Sequence, residues 1–212
     1  MPRSTLRRFA AILVCALALG GCALSEGYKY DSAPLSFTSL SSSVPVSLAV
    51  HDLRPYVVSG NKPERFVGLL RGGYGNPFDV ATASGKPLAA DMRDAAARAM
   101  KERGVNVTAV DAKPSDPHAQ VKQRLQGTNA RKHVLVTLNE WKTDSLINTS
   151  LYYDVTATVF DGRGNALASK RMNGEDALGG TMGVGPQDRI VAGFARRFNE
   201  LFSDPQIVKA LK

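Results

Sequence analysis

Cysteine, histidine and long apolar runs are all scarce in this 212-residue chain, and each scarcity closes off a class of explanation. There are two cysteines, Cys15 and Cys22, and Cys15 falls in a segment expected to be removed, so no internal disulfide can form. The three histidines, His51, His118 and His133, are never spaced i, i+4 and never join a Cys/Asp/Glu cluster of ligand spacing, which supports no zinc or calcium site. His51 and Asp52 are adjacent, but neighbours on a strand point to opposite faces, so the pair cannot share a proton or a metal. Asp52 reads instead as a cap for the turn before Pro55. The longest uncharged apolar run is Phe9 to Leu19, eleven residues, against about 20 for a bilayer span.

Sequence patterns of catalysis are missing as well. No G-x-S-x-G window occurs for a nucleophile elbow. The stretch Asp161-Gly-Arg-Gly-Asn165 faintly echoes a calcium loop, but Ala166 and Met172 stand where that loop needs Gly and Glu, so it reads as a turn. Gly72-Gly-Tyr-Gly75 has no Lys-Ser/Thr sequel and is no phosphate cradle. The loop from Gly179 to Gly185 precedes a helix, where backbone amides can meet an anion, though a plain flexible connection explains its glycines more simply. The sequence predicts no catalytic residue, no metal and no cofactor. What remains is ordinary globular composition: 43% apolar, 22% charged, 19 Gly and 11 Pro. The formal charge is +8, but Arg3, Arg7 and Arg8 belong to the removable segment, leaving 24 basic against 19 acidic residues. That excess is too mild for nucleic acid, which calls for a concentrated basic stripe with stacking aromatics.

The N-terminus has the order of a secretory leader: basic residues to Arg8, the apolar run to Leu19, then small residues at Gly20 and Gly21. Leu19-Gly20-Gly21-Cys22 resembles the lipobox of bacterial lipoproteins. That resemblance implies removal of residues 1–21, diacylglycerol on the Cys22 thiol and acylation of the new amine. Several acyl chains make such an anchor effectively permanent, at about 0.8 kcal/mol per buried methylene. Ala23 follows the cysteine where lipoproteins retained at the inner membrane carry Asp. By resemblance, then, the destination is the outer membrane, facing the periplasm. Residues 22–43 are expected to form the lipidated N-terminus and a flexible tether, since Ser25 to Ser43 holds seven serines and no clean period. Tyr28, Tyr30 and Phe37 sit awkwardly in a tether, and dock either on the domain or at the lipid interface.

Residues 44–212 read as one periplasmic domain. Val46, Leu48 and Val50 alternate as a half-buried strand that Pro55 ends. Arg65 to Leu70 and Phe78 to Thr82 suggest a hairpin around Arg71 to Pro77. Pro87 to Arg103 has helical periodicity, stopped by Gly104, with Asp94, Arg98 and Glu102 on its outer face. Val105 to Ala109 alternates again. Asp116-Pro117 opens a short helix carrying Val121 and Leu125 and ending at Gly127. Three strands follow, His133 to Trp141, Thr149 to Phe160 and Ala166 to Met172, the last two joined by the turn at Asp161 to Asn165. A helix from Pro186 bears Ile190, Val191, Phe194, Phe198, Leu201 and Phe202 on one stripe, and Asp204-Pro205 begins a last short helix. The order predicts an α+β fold, a mixed and mostly antiparallel sheet with helices packed on one face.

With its lipobox at Cys22, its helix ending Met100-Lys-Glu-Arg-Gly104, its strands Leu135-Val-Thr-Leu138 and Tyr152-Tyr-Asp-Val-Thr-Ala157, and its closing Phe198 to Val208, the chain resembles the YajG-like family of bacterial lipoproteins. It departs from them in the longer insertion around Arg71 to Pro77. The resemblance implies a periplasmic α+β domain on a lipid anchor and brings no active site. The function expected is a non-catalytic interaction or assembly module of the envelope, with the membrane held through Cys22 and an envelope protein as partner. A carrier of lipid or glycan is the alternative, and an enzyme the third class. Arg71 and Tyr74, on the glycine-rich loop, are the candidate partner-binding residues. Arg196-Arg197 and Lys122/Arg124/Arg131/Lys132 are either solvated faces or weak attractors of anionic headgroups or cell-wall polymers.

Overall fold

The computed structural model describes residues 27–179 and 186–212. The expected leader, Cys22 and the glycine loop over 180–185 lie outside the described residues. Strand β1 (Val46–Asp52) is buried along its whole length because it has strands on both edges and helices on both faces. It runs parallel to β4 (Val107–Ala109) on one side and to β5 (Lys132–Ser145) on the other. The far edge of β5 carries β6 (Thr149–Asp161) antiparallel, and β6 carries β7 (Ala166–Ala177) antiparallel. A hairpin of β2 (Phe66–Arg71) and β3 (Pro77–Ala81) completes the sheet. β2 lies parallel to β5 on the same edge as β1, but further along, at Thr143 to Ser145 rather than Lys132 to Leu138. One long strand thus serves two shorter ones end to end. The handover coincides with a bulge between Leu138 and Glu140, which bends a strand and re-aims its side chains.

Helices α2 (Leu88–Glu102), α4 (Pro186–Ser203) and α5 (Pro205–Leu211) share the main core with the sheet, around Trp141, Phe194, Phe198 and Phe202. The fold is α+β with a mixed sheet, but the helices do not all pack on one face. Helix α3 (His118–Gln126) lays Val121 and Leu125 on a separate cluster formed by Ala49, Leu135 and Phe160. The physical reason is the central position of β1: with Ala49 as buried as Leu48 and Val50, both of its faces need a cover.

A second difference concerns the stretch expected as a tether. From Tyr28 to Leu40 it is an arm packed on the domain. Tyr28 bridges to Thr82, its N–H donating to Ala81 O (3.0 Å) while its own carbonyl accepts from Ala83 N–H (2.9 Å). Tyr30, Phe37 and Leu40 are almost fully buried. Trp141 Nε1 donates to Tyr30 Oη (3.1 Å), and Phe37 stacks on Phe202 with ring centres 4.5 Å apart. Arg98, assigned to a solvated row, donates to the carbonyls of Asp31 and Ala33 and so ties the arm to α2. Serines hide the pattern. Ala33, Leu35 and Phe37 are buried while Pro34, Ser36 and Thr38 are exposed, which is the alternation of an extended chain with one apolar side.

Between β1 and β2, Pro55 opens a single helical turn, α1 (Pro55–Val58). Just before it, Arg54 has no exposed surface. Its Nε and Nη2 grip Asp52 (2.8 and 2.7 Å), Nη1 donates to the carbonyls of Phe66 (2.7 Å) and Trp141 (3.0 Å), and Nη2 also reaches Glu64 O (3.4 Å). Burial pulls the guanidinium pKa down, and Asp52 more than reverses this.

Two stability predictions follow from these buried charges. Arg54→Met strands the Asp52 carboxylate and should cost about 3–5 kcal/mol in urea denaturation, whereas adding Asp52→Asn should recover part of that loss. A double variant no more stable than the single one contradicts the pairing. Asp91, buried at the start of α2, has its pKa pushed up to about 6 by burial, against the Ser84 hydroxyl, which donates to its carboxylate and favours the ionised form. A raised carboxyl pKa supports the fold when protonated, so its contribution is complete below about pH 4 and is lost as pH rises through about 6. Asp91→Asn should therefore stabilise the protein by on the order of 2 kcal/mol at pH 8 and little at pH 4, measured as thermal midpoint against pH.

Candidate interaction surface

The β2–β3 hairpin projects beyond the body of the sheet, and its seat explains the glycine at its root. Gly68 faces Thr143 so closely that a Cβ there would lie 2.5 Å from the Thr143 carbonyl oxygen and 2.7 Å from its nitrogen. Only hydrogen fits, and the register shift between Phe66 and Gly68 marks the spot. At the tip, Gly75 takes a positive φ of 82°, and Gly72 N–H donates to Asn76 O (2.9 Å) while Gly75 N–H donates to Gly72 O (2.7 Å). The long glycine-rich insertion is therefore a turn closed by two backbone hydrogen bonds.

The two residues singled out in sequence have different roles here. Arg71 is held in a two-pronged pair with Asp144 on β5, Nε to Oδ1 and Nη2 to Oδ2, both 2.6 Å. The guanidinium holds the Asp144 carboxyl below the usual carboxylate range. Arg71 is thus a brace between hairpin and sheet, with both carboxylate oxygens already satisfied. Tyr74, in contrast, is fully exposed at the tip. At the same end of the sheet the fold brings together exposed apolar side chains that sequence reading did not connect. Leu70 and Phe78 are cross-strand partners, 39% and 56% exposed. Leu70 also pairs in register with Ser145, which places the β5–β6 turn alongside, and there Leu146 and Ile147 are 55% and 91% exposed. The signal in sequence was Leu146-Ile147 sitting in the three-residue connection between two long alternating runs, where polar turn residues are the norm. It was hidden because β5 runs on to Ser145, four residues past the predicted end at Trp141.

Elsewhere the polar residues picked out in sequence are mostly occupied with structure, although His51 Nδ1 is buried without a partner. His51 and Asp52 do point apart: His51 Nε2 bonds Lys113 O (3.1 Å), while Asp52 belongs to Arg54. His133 Nδ1 lies 2.8 Å from Ser47 Oγ, beneath α3. Burial lowers the pKa of both histidines. Asp161 accepts from the backbone of Arg163 and Asn165 (2.9 and 2.8 Å), as a turn residue does. Arg196 and Arg197 both bind Asp176, and Arg124 binds Asp116. An open cleft of about 550 Å³ between Val44, Arg131, Lys132 and Asp161 to Arg163 carries basic side chains. Among the described residues, no group of three or more His, Cys, Asp or Glu is placed to hold a metal, and no helix is long and apolar enough to cross a membrane.

No family model matches the chain, and no curated protein does. Among solved structures, a Xanthomonas campestris protein of DUF330 is 11% identical over 80% of this chain and 85% of its own, with a TM-score of 0.48. The PelC dodecamer from Paraburkholderia phytofirmans is 13% identical over 82% of this chain and 93% of its own, at 0.42. Lipoprotein GNA1162 from Neisseria meningitidis is 14% identical over 74% and 98%, at 0.31. Likeness at this level leaves the chain's chemistry to be read from its own residues.

Proposed function

We propose that this protein is a lipid-anchored envelope lipoprotein of the YajG-like kind, held in the outer membrane by acyl chains on Cys22, whose periplasmic domain is a non-catalytic docking module. The observation that carries the docking role is the apolar pole of Tyr74, Ile147, Leu146, Phe78 and Leu70. Large exposed apolar side chains gathered at one place mark contact sites, and aromatic residues on a rigid support lose little entropy when they bind. The support is rigid for reasons of chemistry: Gly68 seats β2 against β5, and Arg71 braces it to Asp144. The partner that fits is a protein of the envelope with an apolar recess, since the pole is convex.

A carrier of lipid or glycan needs an apolar groove between helix and sheet. That space is filled by Trp141, Phe194 and Phe198, whose rings meet edge to face about the Trp141 indole. The leader, with Leu19-Gly20-Gly21-Cys22, is the ground for the anchor and the location.

Two measurements test the proposal. Cys22→Ser should move the protein from the membrane to the soluble fraction, and a variant that stays membrane-bound speaks against acylation. A photo-cross-linker in place of Phe78 should capture one reproducible envelope protein, and Tyr74→Ser with Ile147→Ser should abolish capture while shifting stability by no more than about 0.5 kcal/mol each, as befits exposed sites. Capture that survives both substitutions removes this pole as the docking site.

A further inference from the structure

Strand β7 is hydrogen-bonded to β6 along one edge, and among the described residues no strand pairs with its other edge. Twelve residues make this a long edge, the kind that pairs with another chain unless something prevents it. Charges usually prevent it, and β7 has four in its middle: Lys170 and Arg171, then Met172-Asn173-Gly174, then Glu175 and Asp176. Their arrangement is basic before Asn173 and acidic after it. A strand so divided repels a parallel copy of itself and matches an antiparallel one.

The match can be worked out by register. In an antiparallel pair, residues whose backbone groups point at the partner must face one another, so a two-fold axis relating two copies of β7 passes at a residue and never between two. Placed at Asn173, the axis sets Arg171 opposite Glu175 of the second copy, Lys170 opposite its Asp176, and Met172 opposite its Gly174. Each contact occurs twice, as an isologous interface requires. At Met172 the axis sets Arg171 against Asn173, at Gly174 against Ala177, and at Arg171 against itself. One register alone pairs both charges.

Burial says which row decides. Lys170 reaches Asp204 (3.3 Å), and Asp176 is engaged by Arg196 and Arg197 under α4, so that row is already neutralised within the chain. The solvent-side row is freer. Arg171 bonds Asp154 (2.8 and 2.7 Å) yet its side chain stays 62% exposed, and Glu175, whose one partner among the described residues is the neutral Tyr152 hydroxyl across on β6, is exposed. Opposite charges facing across strands favour pairing, and like charges oppose it.

We propose that two copies of this chain associate through β7, antiparallel and centred on Asn173, joining their sheets into one. The contact lies at the edge opposite β3, so the hairpin pole and the N-terminal arm stay free in both copies.

The test is cross-linking in the full chain. Facing residues of an antiparallel pair have Cα atoms about 4.5–5.5 Å apart, within disulfide reach, so Asn173→Cys in membranes treated with copper-phenanthroline should give a reducible dimer. Thr158→Cys, on neighbouring β6, should not. The chain without an added cysteine should stay monomeric, and a dimer there reports a free Cys22 thiol, which counts against the anchor rather than against this pairing. Arg171→Glu and Glu175→Arg, each added to Asn173→Cys, should cut dimer yield at least tenfold, and both together should restore it. Thermal melting confirms that each variant is folded. An Asn173→Cys chain that stays monomeric on oxidation, or a folded charge-swapped chain that fails to recover, overturns the proposal.

Discussion

Arg54 lies where three parts of the fold meet, and its five N–H groups are all in use. Asp52 at the end of β1 takes two of them. The carbonyls of Glu64 and Phe66 take two more at the start of β2, and Trp141 takes the last at the bulge of β5. A guanidinium is suited to this because its donors form a fixed planar fork, whereas an ammonium would satisfy fewer carbonyls and no fixed angles. The bulge between Leu138 and Glu140 turns Trp141 O toward the cation, and the same carbonyl takes the Tyr56 hydroxyl (3.3 Å). Without a buried donor at this point, the gap between the end of β1 and the beginning of β2 would expose unpaired carbonyls inside the protein, at about 1–3 kcal/mol each. The arrangement by which β5 serves two strands in succession therefore depends on a single paired ion.

The aromatic core grows from the same place. Trp141 points its indole N–H at the Tyr30 hydroxyl and its ring faces at Phe194 and Phe198. The N-terminal arm is thus joined to the centre of the sheet, and to α4, through one side chain. Burial raises the Tyr30 phenol above its ordinary pKa, so it remains a neutral partner for the indole. Docking of the arm also changes what an anchor at Cys22 would do. Five peptide steps separate Cys22 from Gly27, a reach of at most about 18 Å, where a free tether to Ser43 would span several times that. An anchored domain of this build is held near its bilayer by the edge where Tyr28 bridges to Thr82.

Most of the architecture was legible in the chain because its elements are regular and punctuated. The 3.6-residue stripe of Phe194, Phe198 and Phe202 and the alternation of Leu151, Tyr153 and Val155 each admit one reading, and Asp204 caps the last helix by accepting from Gln206 and Ile207 as its position suggests. Three features were not legible, each for a reason of its own. The arm alternates for only a few residues amid serines, a pattern weaker than the composition around it. Arg54 carries no local sign of burial, since what buries it are carbonyls 10 to 87 residues away. The second helix-covered face arises from β1 being central, which follows from pairing partners that no short-range period reveals. Of the apolar pole, Tyr74 was visible as an exposed residue on a glycine-rich loop. Arg71 turned out to be its brace, and Ile147 joined it only through the register of β2 on β5.

Those two outcomes share a cause. A charge beside a strand end is placed to brace, because the neighbouring strand brings a counter-charge within reach, as Asp144 does for Arg71. An apolar side chain in a tight turn has no such partner and stays in water, so its cost persists in the free protein and is relieved only by a surface that covers it. The same reasoning separates the two free surfaces of this molecule. The hairpin pole offers apolar area on a convex support and suits a recessed partner of different shape. The β7 edge offers little apolar area but a full row of backbone donors and acceptors with a divided charge pattern, which suits a partner of identical sequence. Because the two lie at opposite edges of one sheet, occupation of either would leave the other accessible, and a paired domain would present two apolar poles instead of one.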